Sequence, residues 1–140
     1  MANAETGDPD VATRPGGHTY HLTPEEVWAA QAGTASYQPE AFAADGFIHC
    51  TDGEVNLLRV ANTFYQGDRR SHVVLVLDRA RIAAPVIYED PDRIFPHIYG
   101  PLNTDAVVAV RPVIRLADGS FAEIGPPIAA EGAGGGEATT

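Results

Sequence analysis

The spacing of apolar residues predicts a first helix near the start of the folded part. In the segment TPEEVWAAQAG, Thr23 is placed as an N-cap, with Pro24 at the first helical position and Glu26 three residues after the cap. This is the pattern of a capping box, with proline where its missing N–H would be unpaired anyway. Gly33 is a typical terminator, so we predict a helix from Pro24 to about Ala32.

A second helix is predicted by the segment TDGEVNLLRVANTFYQG. Thr51 is placed as its N-cap, Glu54 follows three residues later, and Gly67 ends the pattern. Between them, apolar side chains recur at the spacing of one helical face: Val55, Leu58, Ala61 and Tyr65. We therefore predict a helix from about Asp52 to Tyr65.

The remaining apolar runs predict strands. HVVLVLD and AVVAVRPVIRL are rich in β-branched residues and bounded by turn residues, and PVIYED is a shorter run of the same kind. Short extended runs also precede each helix, at HTYHL and GFIHC. This order, with two N-terminal helices followed by several strands, favours an α+β fold over an alternating doubly wound sheet.

Composition limits the folded part to about residues 18–124, a single domain within a chain of 140 residues. Residues 1–17 and 125–140 are rich in Gly, Pro, Ala and acids with no apolar period, which is typical of disordered tails. No segment resembles a leader, and no apolar run reaches membrane-spanning length. With Cys50 as the single cysteine, we expect a soluble cytoplasmic protein without a membrane partner.

Charge excludes several classes of function. The formal net charge of −10 argues against a nucleic-acid partner. Lysine is absent, which excludes Schiff-base chemistry, Walker-type phosphate loops and Ser–Lys nucleophiles. We expect a small-molecule ligand as the partner, and a monomer or weak homodimer as the assembly.

The junction FIHCT runs from a predicted strand into the start of the second helix. Free amides and the helix dipole make such a place attractive to phosphate or carboxylate, so Thr51 is a candidate ligand-binding residue. In a strand, Phe47 and His49 share one face while Ile48 and Cys50 share the other. His49 is a candidate general acid or base, whereas Cys50 is expected to be a small buried residue and not a nucleophile.

The segment RIFPHIYGPL is the most irregular stretch of the chain. If it is extended, Phe95, His97 and Tyr99 share one face, and its prolines stiffen a loop that presents an imidazole and a phenol. One interpretation is a pocket wall, with His97 catalytic and Tyr99 ligand-binding, facing His49 and His21. The other is a structural corner whose polar side chains only satisfy backbone carbonyls.

Two further candidate interactions leave alternatives open. Arg93 is interpreted either as an anion clamp for the ligand or as half of a surface ion pair with Asp90 or Asp92. His21, His49 and His97 lack the close spacing of a local metal motif, so no metal site is predicted. His18 and His72 are interpreted as incidental.

The motifs DGFIHCT, VANTFY, FPHIYGPL and DAVVAV together resemble the domain of unknown function 952 family over about residues 20–121. That family is similar in fold to ADP-ribosyltransferases, which implies a mixed or antiparallel sheet. The resemblance places His21 where the ribose of NAD would be held and Asp105 nearest the position of a catalytic glutamate. Ile48 and His49 occupy the place of the tyrosine that stacks on nicotinamide.

These observations lead to three hypotheses about function. The first is an enzyme-like domain with a cleft for a nucleotide-like or phosphorylated small molecule, NAD or an ADP-ribose derivative being the first ligand to try. The second is a non-catalytic ligand-binding module. The third is a specialised small-molecule enzyme that uses histidine as general acid or base without NAD.

Overall fold

The computed structural model of the protein describes residues 17–128. Most of the predicted tail over residues 1–17 and most of the one over residues 125–140 lie outside this range. Residues 125–128 belong to the folded part, because the Gly125 N–H donates to the Pro112 carbonyl at 2.8 Å and the Ile128 N–H donates to the Val110 carbonyl at 2.7 Å. Backbone hydrogen bonding to β8 therefore continues past the predicted boundary at residue 124.

Nine strands and three helices make up the described part of the chain. The strands are β1 (His18–Pro24), β2 (Ser36–Tyr37), β3 (Ile48–His49), β4 (His72–Asp78), β5 (Val86–Tyr88), β6 (Pro96–Ile98), β7 (Leu102–Asn103), β8 (Val107–Arg115) and β9 (Phe121–Ile124). The helices are α1 (Glu25–Ala29), α2 (Phe42–Asp45) and α3 (Glu54–Phe64), and single 3-10 turns follow β4 and β7.

Three antiparallel sheets give the fold its shape. The largest has the strand order β1-β4-β8-β9, a second has the order β3-β6-β5, and β2 pairs with β7. The structure confirms the α+β class, the antiparallel sheets and the strands predicted from the longer β-branched runs. An exchange of backbone hydrogen bonds between Tyr20 and Thr51 joins the first sheet to the end of β3.

Strand β4 lies at the centre of two apolar clusters, one on each face of the largest sheet. Val73, Leu75 and Leu77 point toward the smaller sheets and pack with Tyr37, Ile48 and Ile98. Val74 points the other way and packs with Leu57 of α3 and Ile124 of β9. This alternation is the period of two expected of a strand that is buried on both faces.

Both predicted N-caps are wrong. Helix α1 begins at Glu25 with Pro24 as its N-cap, and Thr23 belongs to β1, where it pairs with Val73. Helix α3 begins at Glu54 with Gly53 as its N-cap, and neither cap makes a side-chain hydrogen bond. The physical reason is that strand pairing satisfies the backbone of both threonines before the helices begin, which overrides the local capping signal.

Two further segments differ from the predictions. The segment around FPHIYGPL forms strands β6 and β7, where a rigid loop was predicted. Helix α2 was not predicted at all, and it is only four residues long. Gly46 ends α2 with a φ of 79°, a left-handed conformation that glycine adopts without strain and that turns the chain into β3.

Candidate active site

The exposed face of the three-stranded sheet brings His49 and His97 side by side. His49 in β3 lies directly opposite His97 in β6, and the two ring centroids are 5.3 Å apart. Ile48 and Ile98 point the other way, as alternation along a strand requires, and are fully buried. The expected proximity of His49 and His97 is confirmed.

A carboxylate holds one nitrogen of each imidazole. His49 Nε2 lies 2.9 Å from Asp45 Oδ2, and His97 Nδ1 lies 2.8 Å from Glu89 Oε1. Within residues 17–128, His49 Nδ1 and His97 Nε2 make no hydrogen bond. A carboxylate bound to one ring nitrogen fixes the tautomer in which the other nitrogen is the base, so each histidine offers a free acceptor on an exposed face.

Aromatic rings pack around this pair. Phe47 stacks on His97 with ring centroids 4.0 Å apart and an interplanar angle of 16°, and it lies 4.7 Å from His49. The Tyr99 hydroxyl donates to Glu89 Oε1 at 2.5 Å. Hydrogen bonds from Tyr99 and His97 lower the pKa of Glu89, which keeps that carboxylate ionised beside His97. We call these six residues the histidine cluster: Asp45, Phe47, His49, Glu89, His97 and Tyr99.

A cavity of about 140 Å³ lies between β1 and α3, and Phe47 and His49 are among the residues that line it. Its walls are largely apolar, with Leu22, Leu57 and Val60 among the lining side chains. We call it the inner cleft. His97 and Tyr99 do not line this cavity. The segment that was predicted to form a pocket wall therefore lies outside the inner cleft.

The far end of the inner cleft is polar. Arg70 is bound by three carboxylates there, Asp68 at 2.8 Å, Glu40 at 3.0 Å and Glu26 at 3.2 Å. The hydrogen bond from Arg70 lowers the pKa of Asp68 to about 2. Arg115 fixes the neighbouring loop by donating to the carbonyls of residues 66, 68, 70 and 119.

The sequence predicts that His21 faces His97 across a pocket. In the structure, the His21 ring has no free nitrogen to present there. Its Nδ1 donates to the His49 carbonyl at 2.7 Å, and its Nε2 lies 2.9 Å from the Tyr37 hydroxyl. The ring is buried, and burial lowers its pKa to about 4. Both nitrogens are used inside the core, because His21 alternates to the same face of β1 as Thr19 and Thr23.

The burial of His21 predicts a pH dependence of stability. Its folded-state pKa lies below the ordinary value of 6.5, so the unfolded chain takes up a proton first as the pH falls. The free energy of unfolding should therefore decrease by about 3 kcal/mol between pH 7 and pH 4 from this group alone. Urea unfolding of the wild type and of His21→Gln over this range would measure it. Equal pH slopes for the two proteins would contradict the prediction.

The other candidate residues lie apart from the histidine cluster. Thr51 is buried and lines the inner cleft, and α3 starts three residues after it. Asp105 lies in the 3-10 turn after β7, where Asn103 donates to it. Arg93 stacks over the Tyr88 ring at 5.0 Å, and the Asp90 carboxylate accepts the backbone amides of residues 94 and 95 in place of the predicted ion pair.

Cys50 is buried as predicted, with 2% of its surface exposed. Burial raises the pKa of its thiol, which disfavours the nucleophilic thiolate. Cys50 directly follows β3 and is buried whereas His49 is exposed, as expected if the two side chains lie on opposite faces of the sheet. That Cys50 is not a nucleophile remains a prediction.

Sequence reasoning missed the carboxylates of the site and the polar end of the cleft. Asp45 precedes His49 by four residues across a helix end and a turn, and Glu89 reaches His97 only through the pairing of β5 with β6. His72 was interpreted as incidental, yet its side chain is buried and lines the inner cleft. The alternating run HVVLVLD could have signalled this, because it places His72 on the same face as Val74.

The fold and the site define an α+β domain with a pair of carboxylate-bound histidines side by side on one sheet face. The chain belongs to the family described as "Protein of unknown function (DUF952)", whose model matches residues 22–110. No curated protein matches the chain.

Solved structures of one protein are similar to this fold. The crystal structure of protein CC0527 from Caulobacter crescentus is 23% identical, with a TM-score of 0.65 over 75% of this chain and 93% of that chain. The solution NMR structure of CC0527 has the same identity and a TM-score of 0.59 over 73% and 89% of the two chains. At this identity the likeness shows the fold alone.

Two structural features are absent from residues 17–128. No helix in that range is long and apolar enough to cross a membrane. No group of three or more His, Cys, Asp and Glu side chains in the same range is arranged to hold a metal ion.

Proposed function

We propose that the protein is a small-molecule enzyme in which His49 and His97 act as general acid and general base without NAD. The observation that carries the proposal is the pair of carboxylate-bound imidazoles with ring centroids 5.3 Å apart on an exposed face. One imidazole can take a proton from the substrate while the other returns one. Each such transfer typically contributes about 10²–10⁴ in rate.

The charges around the site favour a neutral or cationic substrate over a phosphorylated one. Asp45 and Glu89 supply two carboxylates, and the histidine cluster contains no arginine. In the inner cleft, Arg70 is already bound by three carboxylates. An anion would therefore meet repulsion at the site with no free cation to offset it. The rings of Phe47 and Tyr99, with centroids 5.3 Å apart, suit a planar or apolar body.

An ADP-ribosyltransferase-like fold with an NAD-derived or nucleotide-like ligand is the second proposal. The aromatic surface of Phe47 and Tyr99 favours it, because a nicotinamide or adenine ring could stack there. The engaged nitrogens of His21 and the separate position of Asp105 weigh against it. A non-catalytic binding module is the third proposal, and it needs the same cleft without proton transfer.

Metabolite profiling would test these proposals without a known substrate. The wild type and the double variant His49→Gln/His97→Gln would each be incubated with a small-molecule extract, with and without added NAD, and analysed by mass spectrometry. We expect a compound that the wild type consumes in the absence of NAD and that the double variant leaves unchanged. His18→Gln is a matched control, because it removes a histidine at the far end of β1.

The other outcomes separate the alternatives. Turnover only with NAD, or stabilisation by ADP-ribose against thermal unfolding, would favour the transferase. A compound that binds and stabilises both proteins but is never consumed would favour the binding module. Identical consumption by wild type and double variant would rule out acid–base catalysis by His49 and His97.

A further inference from the structure

One of the residues that line the inner cleft, His72, has a buried ring nitrogen with no hydrogen-bond partner among the described residues. The side chain of His72 is 1% exposed and lines the cleft. Its Nδ1 donates to the Arg70 carbonyl at 2.8 Å, so the neutral ring carries its lone pair on Nε2. Within the described residues Nε2 has no hydrogen-bond partner. A buried acceptor without a donor is unfavourable, which points to a missing group.

A second acceptor lies beside the first. Asp68 Oδ2 is 3.6 Å from His72 Nε2, too far for a direct hydrogen bond and close enough for one donor atom to reach both. Burial lowers the pKa of His72, so both atoms act as acceptors near neutral pH. The hydroxyl-bearing ring of Tyr65 packs 6.4 Å from the His72 ring on the side of α3. The missing group is therefore a hydrogen-bond donor.

The surrounding charges favour a cationic donor. Asp68, Glu40 and Glu26 surround the guanidinium of Arg70. Arg115 is the other cation facing His72, and it lies behind the Phe121 ring at 4.1 Å. Three carboxylates against two guanidiniums leave one negative charge uncompensated. Because Arg115 already donates to four backbone carbonyls, it is not available to the cleft.

We propose that the inner cleft binds the protonated primary amine of a small ligand, with the ammonium group donating to His72 Nε2 and Asp68 Oδ2. The apolar walls hold the body of the ligand, and the cavity of about 140 Å³ is close to the size that holds one benzene ring. The proposal deepens the proposed function, because an amine seated at His72 extends outward along the cleft toward His49. The substrate class is then a small primary amine.

Paired ligands of equal shape test the site directly. Benzylamine and benzyl alcohol would be titrated into the full-length protein at neutral pH by calorimetry, while nitrogen NMR follows the His72 ring. We expect benzylamine to bind at least tenfold more tightly, and the Nε2 resonance of His72 to move when it binds. If benzyl alcohol bound as tightly as benzylamine, or if the His72 Nε2 resonance did not move, the proposal would be overturned. The partner of Nε2 would then be a water molecule.

Two variants separate this site from the histidine cluster. Asp68→Asn keeps the shape of the side chain, and it should weaken the affinity for benzylamine at least tenfold while leaving the affinity for benzyl alcohol unchanged. Asp105→Asn removes an exposed carboxylate elsewhere and should change neither affinity. His97→Gln should leave benzylamine binding within twofold, because His97 does not line the inner cleft. Retained benzylamine affinity in Asp68→Asn would contradict the site. Absence of turnover in every assay would contradict only the proposed function.

Discussion

Replacing His97 by glutamine should lower turnover of the substrate by about 10²–10⁴ and leave the melting temperature almost unchanged. The His97 side chain is 20% exposed, and glutamine retains a polar group that can reach Glu89. The loss would therefore fall on proton transfer and not on folding. Steady-state kinetics and a thermal melt of the same preparations measure both quantities. His49→Gln should give a similar result, since His49 is held by its own carboxylate.

Glu89 is expected to act through His97 as a positioning residue. Glu89→Gln should lower turnover by about 10–100-fold, the usual effect of removing a group that orients a functional histidine. Nitrogen NMR of His97 should then show a mixture of tautomers where the wild type shows the Nδ1–H form. Tyr99→Phe is the matched control, because it removes one hydrogen bond to Glu89 and keeps the carboxylate beside the imidazole. Unchanged turnover in His97→Gln would contradict the catalytic role of His97, and with it the positioning role of Glu89.

The sequence predicted the strands well because their signal is local. The run from His72 to Asp78 alternates between two buried faces, and its β-branched residues leave few other conformations. The proximity of His49 and His97 was also predictable, although their register was not. Their register depends on the antiparallel pairing of β3 with β6, two very short strands that are far apart in the chain.

Most of the candidate site could not be read from the sequence because its chemistry depends on non-local contacts. Glu89 becomes a partner of His97 only when β5 and β6 pair, and Asp68 meets His72 only across a loop that Arg115 fixes in place. The errors at Thr23 and Thr51 have the same cause. Each threonine carries a genuine capping pattern, yet pairing of its backbone in a sheet satisfied more polar groups than one side-chain cap would.

The second large effect expected is on stability, at the buried ion pair between Arg79 and Asp52. Arg79 follows β4, its side chain is 3% exposed, and its guanidinium lies 3.2 Å from Asp52 Oδ2. The Tyr88 hydroxyl lies 2.6 Å from Arg79 Nη1 and donates to the same carboxylate oxygen at 2.7 Å. This network connects the segment before α3 with β5, the strand that precedes Glu89.

Arg79→Met should lower the free energy of unfolding by about 3 kcal/mol, because it leaves the Asp52 carboxylate in a largely buried place without its cation. The value lies at the low end for a broken buried pair, since the Asp52 side chain is 21% exposed and can recover some hydration. Adding Asp52→Asn to Arg79→Met should restore part of the loss by removing the unpaired charge. Urea unfolding followed by Trp28 fluorescence would give all of these values.

Arg81→Met is the matched control for this prediction. Arg81 lies two residues away in the same turn, its side chain is 62% exposed, and its contact with Asp78 is 3.5 Å long. An exposed ion pair of this kind contributes little, so the change should stay below about 0.5 kcal/mol. If Arg79→Met were as mild as Arg81→Met, the network would not stabilise the fold, and Glu89 would have to be positioned by the pairing of β5 with β6 alone.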